Sequence, residues 1–218
     1  MVALIEQQNQ RFLDGPFKGL LKGHYKVLYA DPPWSFATWS HRGEGKGASQ
    51  HYDCLRLGDI KALPMSDLAQ DDAALFLWVV QPMLPEALEL VEAWGFKFRT
   101  VAFAWVKMPK AWADDLQGHL IGGQRLRPKM GLGYHTRSGM EQCWLAIRGN
   151  GYKRASQGIE QVLHAPIREH SRKPDEIANR IEGLVGDVPC IELFARRRRL
   201  RWDAWGNELE KFRTGDEA

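Results

Sequence analysis

The apolar run Tyr25-Lys26-Val27-Leu28-Tyr29-Ala30 ends abruptly at Asp31-Pro32-Pro33-Trp34. Val, Leu and Tyr suit a pleated, buried strand, and proline ends one because it lacks an N–H for the sheet ladder and fixes φ. Asp31 is thereby expected at the carboxyl end of a strand. In open α/β sheets that edge is where ligands bind, so an acid followed by a rigid turn and a large aromatic is a candidate reaction centre. The same residues also read as a plain strand-ending turn with Trp34 in the core. On this tetrapeptide alone both readings stand.

The chemistry that would use these groups together is methyl transfer to an exocyclic amine of a base. Such an amine is a poor nucleophile because its lone pair is delocalised into the ring. An acceptor for its N–H returns electron density to nitrogen, and Asp31 can serve. The Pro32 carbonyl is a second acceptor, Pro33 keeps the turn rigid, and Trp34 offers a face on which a flipped-out base could stack. Transfer would be an in-line displacement at a sulfonium methyl group, where positioning supplies much of the rate and no metal is required.

The rest of the chain repeats the same grammar. Leu57–Leu68 reads as a short helix, and residues 74–80 as a second buried strand. From Pro82 to Trp94 the apolar spacing Leu84, Leu88, Val91 gives one helix face that stops at Gly95, and residues 101–106 make a third strand. Strand, helix, strand with these run lengths predicts a parallel α/β unit. Pro174 opens a further helix with Ile177, Ala178, Ile181 and Leu184 on one face, ended by Gly186, before the strands Cys190–Phe194 and Arg201–Trp205. Residues 1–24, rich in turn signals, lead into one domain spanning 1–218, with loops at 35–52 and 108–140.

With 218 residues, 44% of them hydrophobic, the chain can bury a sizeable core. A net charge of +3 permits a nucleic-acid partner without demanding one. Cys54, Cys143 and Cys190 are far apart and lack a Cys-x-x-Cys pair, which argues against a disulfide framework or a zinc site. No apolar run is long enough to span a bilayer, and the amino terminus meets polar residues too soon for a signal peptide, so a cytoplasmic setting is expected. Gly45-Lys46-Gly47-Ala48-Ser49 lacks the Gly-Lys-Ser/Thr adjacency of a phosphate loop. Between Gln117 and Met140 there is no acid, while Arg125, Arg127, Lys129 and Arg137 stand among glycines. That segment suits phosphate contacts, or else a solvated loop.

Asp-Pro-Pro-Trp after a hydrophobic strand resembles the signature of S-adenosylmethionine-dependent adenine amino-methyltransferases of the MT-A70 family. The resemblance runs from Val27 to Leu209. It implies a Rossmann-like methyltransferase fold, with a mostly parallel sheet flanked by helices and the catalytic motif preceding the cofactor strand. It implies that the loop after Trp34 closes over the base and ends in a contacting Tyr52. It also makes Gly133-Tyr134-His135 to Glu141 the second active-site loop, with Lys107, Arg125, Arg127, Lys129 and His135 on the substrate side. For the cofactor it implies Asp31, Lys173 facing the methionine carboxylate, Phe194, Arg196 and Arg198 or Arg199 along the methionine or ribose portion, and Asn207 and Glu208 on the ribose hydroxyls. One departure stands out: Phe194-Ala195-Arg196 follows the cofactor strand where dinucleotide folds carry a glycine-rich turn.

The expectation is therefore an enzyme that methylates the exocyclic amine of adenine, in DNA rather than RNA, with neither metal nor membrane, and as a homodimer. The rivals are an RNA adenine methyltransferase, a non-catalytic nucleic-acid-binding subunit on the same fold, and transfer to a cytosine amine or a protein glutamine.

Overall fold

The computed structural model describes residues 10–34, 55–112, 127–131, 135–169 and 171–211. Seven strands form one sheet: β1 (Tyr25–Ala30), β2 (Ala69–Val79), β3 (Lys97–Met108), β4 (Met140–Arg148), β5 (Val162–Pro166), β6 (Cys190–Leu193) and β7 (Trp202–Trp205). Their order is β5-β3-β4-β2-β1-β6-β7. β1 pairs in parallel with β2 and β6, as do β6 with β7 and β3 with β5. Among the described strands β4 alone is reversed, antiparallel to both β2 and β3.

Side chains on a strand alternate between faces, so a central strand buried on both sides serves two cores. β1 does this. Leu28 and Ala30 join Leu75, Leu77 and Trp144 beneath α1 (Leu57–Lys61) and α2 (Leu84–Ala93), whose Ile60, Leu90 and Val91 complete that layer. Val27 and Tyr29 join Phe76, Trp78, Phe103 and Trp105 beneath α3 (Asp175–Val185), which contributes Ile177 and Ile181. Each such fully buried large side chain contributes roughly 1.5–3 kcal/mol. The result is an α/β architecture with a mostly parallel sheet between helices, as a Rossmann-like methyltransferase fold requires.

Several expectations need adjusting. Leu57–Leu68 is not one helix: α1 ends at Lys61 because Pro64 cannot continue it, and a separate 3₁₀ turn covers Met65–Asp67. β2 and β3 run in the same direction but are not neighbours, since β4 lies between them. β5, a five-residue edge strand containing His164 and Pro166, was not anticipated. The leading segment contributes to the core from Gln10 onward: Arg11 bridges Leu21, and Phe17 is fully buried with its ring 5.1 Å from Trp205, edge to face.

Candidate active site

Because β1, β3 and β6 run the same way, their carboxyl ends share one edge of the sheet. The reversed strand β4 brings its amino end to that edge. Four charged groups meet there. Asp31 follows β1, and Lys107 comes from the end of β3. Glu141 comes from the start of β4, opposite Trp105, and Lys173 from the turn before α3. The Lys173 ammonium donates to Asp31 Oδ2 at 2.7 Å and lies 3.4 Å from Glu141 Oε2. Lys107 Nζ donates to Glu141 Oε1. Each ammonium also sits 5.4 Å from the centre of an indole, Lys173 over Trp78 and Lys107 over Trp105. An aromatic face in a partly buried site favours the cation and holds it in place.

The two acids diverge in character. Burial pushes the Asp31 carboxyl above its usual range; the attraction and hydrogen bond of Lys173 oppose this without cancelling it, and the nearby Glu141 adds to it. Burial acts on Glu141 in the same sense, but Lys173 and Lys107 together outweigh it and hold its carboxyl below the ordinary value. Two carboxyls with opposite shifts at one sheet edge are the arrangement expected where one must take up a proton and the other must stay ionised.

Trp34 is placed differently from a stacking platform. It is 3% exposed, its indole N–H donates to the Trp78 carbonyl at 3.1 Å, and it bridges Leu55. It belongs to the core cluster, and in this arrangement it braces the turn after β1 against the end of β2. The Pro32 carbonyl, expected to be free, accepts the Trp34 amide at 2.8 Å, which leaves one lone pair for a ligand. Pro33 is part of the same turn and half-buried. Tyr52 and Arg125 lie outside the described residues.

Arg127, Lys129 and His135 are exposed. The Lys129 amide donates to the Lys107 carbonyl at 2.7 Å, and the Lys107 amide to the Gly139 carbonyl at 2.9 Å, so this basic stretch lies against the active edge.

A cleft beside Asp31 is lined by Tyr29, Lys173, Glu192, Phe194 and four arginines, Arg172, Arg196, Arg197 and Arg199. Phe194 begins the turn after β6 with φ of 57°, in the left-handed region. Arg196 is paired with Glu208 at 3.1 Å, which joins two of the expected cofactor residues. Arg198 is 67% exposed and leans toward Glu210, away from that cleft. It lines a second, open hollow with Gly206, Asn207 and Glu208. Arg197 and Asp175 were not singled out from sequence. Asp175 is held low despite its burial by Arg168, with Arg197 and Arg172 adding to the effect, and it ties the arginine turn to the start of α3.

Glu141, named only as the end of the expected second active-site loop, and Glu192 were given no role of their own by the motifs. Glu192 is the one charge in the short buried strand Cys190-Ile191-Glu192-Leu193, and that incongruity was the available signal. Burial raises its carboxyl to about 7 against the pull of Arg199 and Arg197. Its Oε2 is buried without a hydrogen-bond partner, and so is Arg199 Nε, 3.9 Å away. Orphaned polar atoms of both signs at the wall of one cleft fit a ligand that carries both signs, as the methionine end of S-adenosylmethionine does. Lys173 and Arg196 with Glu192 would hold that end, and Asn207 and Glu208 the ribose. No group of three or more His, Cys, Asp or Glu able to hold a metal ion occurs among the described residues. No helix among them is long and apolar enough to cross a membrane.

Fold and site together define a methyltransferase whose acid precedes its cofactor strand. The MT-A70 family model matches residues 25–208, and the chain belongs to that family of adenine N6 methyltransferases. It is 30% identical over 213 residues to the type II methyltransferase M.MunI of Mycoplasma sp, covering 90% of this chain and 83% of that one. It is 31% identical over 193 residues to the human N(6)-adenosine-methyltransferase catalytic subunit METTL3, covering 86% of this chain and 29% of the human protein. A Drosophila melanogaster MT-A70-like N(6)-adenosine-methyltransferase is 29% identical over 213 residues, covering 96% and 30%. The chain thus spans less than a third of the length of these animal relatives and most of that of M.MunI.

Proposed function

We propose that this protein methylates the exocyclic N6 amine of adenine in DNA, with S-adenosylmethionine as donor. The observation that carries the reading is Asp31, pushed up by burial and fixed 2.7 Å from Lys173 at the carboxyl edge of a parallel sheet. DNA is preferred to RNA because M.MunI, a type II methyltransferase, matches over most of both chains. A homodimer working in the cytoplasm is part of the same proposal.

When bound, the cofactor supplies a methyl group activated by its sulfonium. The chain's residues do the rest. Lys173 holds one oxygen of Asp31, and the other accepts an N–H of the target amine, with the remaining lone pair of the Pro32 carbonyl available for the second. As nitrogen gains positive charge, Asp31 and Glu141 stabilise it from fixed positions that need no reorganisation. The raised Asp31 carboxyl then takes the proton or passes it to water. The base reaches this edge only if it leaves the stack, at a cost of a few kcal/mol. Lys107 and the basic stretch beside it supply phosphate contacts that fix register without reading sequence.

The test is transfer of labelled methyl from S-adenosylmethionine to unmethylated DNA and to RNA, side by side, with nuclease digestion to identify the base. Label in N6-methyladenine from DNA alone is expected. Label from RNA alone would move the substrate, and label in cytosine would overturn the base assignment. Asp31→Ala should abolish transfer while leaving cofactor affinity within a few fold; substantial residual turnover would remove the role given to Asp31.

A further inference from the structure

The register of the sheet gathers Trp78, Trp105, Lys107 and Glu141 on one face. Trp105 of β3 stands opposite Glu141 of β4, and Trp78 of β2 opposite Cys143, two residues further along β4. Side chains two residues apart on a strand share a face, so Lys107 joins Trp105 there, diagonal to Glu141. The Lys107 backbone is fixed on both sides: its amide donates to Gly139, its carbonyl accepts from Lys129, and it pairs with Ala165 of β5. Its ammonium donates to Glu141 Oε1 and lies over the Trp105 indole.

The next contacts in this row are unequal. Lys173 lies 2.7 Å from Asp31 but 3.4 Å from Glu141, although both acids are within its reach. Glu141 Oε1 is already taken by Lys107, and Oε2 is the oxygen that faces Lys173. A carboxylate whose charge is partly answered pulls less on a second cation. We infer that Lys107 is a positioning residue for the transfer step: by taking one oxygen of Glu141 it leaves Lys173 to Asp31, and so holds Asp31 in the state that accepts the amine N–H. The inference rests on the function proposed above and adds an inward task to the phosphate contact given to Lys107 there. Without Lys107, Glu141 turns its charge on Lys173, and Asp31 keeps its burial while losing its cation. A carboxyl so placed takes up a proton, and the protonated acid no longer draws on the amine.

The pH dependence carries the signature. The groups that face the two acids are Lys107 from β3, Tyr29 from β1, Cys143 from β4, Glu192 from β6, Arg196 from the turn after β6, and Lys173 from the turn before α3. Burial keeps the Tyr29 hydroxyl and the Cys143 thiol neutral. The Glu192 carboxyl, at about 7, is common to every variant. Burial raises Asp31 and Lys173 opposes it, whereas on Glu141 burial is outweighed by Lys173 and Lys107 together. Removing the Lys107 charge therefore makes the pair take its first proton at a higher pH, never at a lower one.

The experiment compares wild type with Lys107→Met, which keeps the stem and loses the charge, and Lys107→Arg, which keeps the charge. Two quantities are followed from about pH 5 to about pH 9. One is kcat for methyl transfer to DNA; the other, which needs no turnover, is the carbon-13 shift of the Asp31 carboxyl, assigned by its absence from Asp31→Asn. Lys107→Met should move the acid limb of kcat and the Asp31 titration up by roughly 1 pH unit or more, and Lys107→Arg should bring both back toward wild type. In a Glu141→Gln background Lys107→Met should leave the Asp31 titration in place, because no acid then competes for Lys173. A shift that persists there overturns the inference. So does a kcat lowered equally at every pH, the mark of a merely structural role, or a raised KM for DNA with an unmoved limb, the mark of a phosphate contact alone. Should Lys107→Met fail to fold, Lys107→Gln, neutral but still able to donate to Glu141, takes its place with the same outcomes. Wild-type protein that transfers no methyl to DNA would overturn the proposed function, and the carboxyl titration still decides the inference: Asp31 titrating alike in wild type and Lys107→Met overturns it.

Discussion

The indole N–H of Trp34, given to the Trp78 carbonyl, changes what a substitution there should do. Trp34→Phe keeps an aromatic face but leaves a buried carbonyl without its donor, a loss of about 1–3 kcal/mol. In a domain of this size that lowers Tm by roughly 2–4 °C per kcal/mol. Melting should therefore drop by several degrees while KM for DNA stays within about twofold; an unchanged Tm with a raised KM would restore Trp34 as a stacking surface. At this scale the sequence was only partly legible. Asp31 announces itself because a rigid turn and a strand end flank it. Glu141 does not, since its place beside Lys107 and Lys173 follows from the reversal of β4, which no local pattern encodes.

Among the elements, the turn from β6 to β7 is the least ordinary. Parallel neighbours usually need a crossover of a dozen or more residues, commonly a helix. Here residues 194–201 suffice, with Phe194 and Arg201 at φ of 57° and 66°. Dinucleotide folds place glycine in the turn after the first strand so that backbone can approach closely. In this chain the glycine sits across the turn instead. A Cβ on Gly206 would lie 2.4 Å from the Ala195 carbonyl oxygen and 2.6 Å from its nitrogen, where the Ala195 amide donates to Trp205 at 2.9 Å. Backbone atoms cannot step aside cheaply, so Gly206→Ala should cost about 1–3 kcal/mol and weaken cofactor binding at least several fold. Thermal melting with calorimetry checks this, and wild-type values in both would show that the turn yields freely. β1, β2, β6, α2 and α3 were legible because burial imposes an apolar period on them, and Gly95 and Gly186 mark the ends of the two helices. β5 was not, since an edge strand with His164 exposed and Pro166 at its end has no buried period to display.

For the molecule as a whole, a net charge of +3 is too small to predict nucleic-acid affinity, and position decides. Arg127 and Lys129 are exposed on a stretch tied by backbone hydrogen bonds to Lys107 at the active edge. Replacing both with Gln should reduce the slope of log affinity against log salt by about 0.9 for each phosphate they neutralise. A slope identical to wild type in a fluorescence-anisotropy salt series would mark them as ordinary surface charges. The sheet order also bears on how the chain is made. β1 emerges early, and its second neighbour, β6, lies in the last third of the sequence. At about 5–20 residues per second a ribosome leaves the Val27-Leu28-Tyr29 edge unpaired for on the order of ten seconds. A bare, apolar strand edge is a template for pairing with other chains. Synthesis interrupted before β6 would therefore yield fragments prone to aggregation, and a holding chaperone acting on the nascent chain would have most effect in that interval.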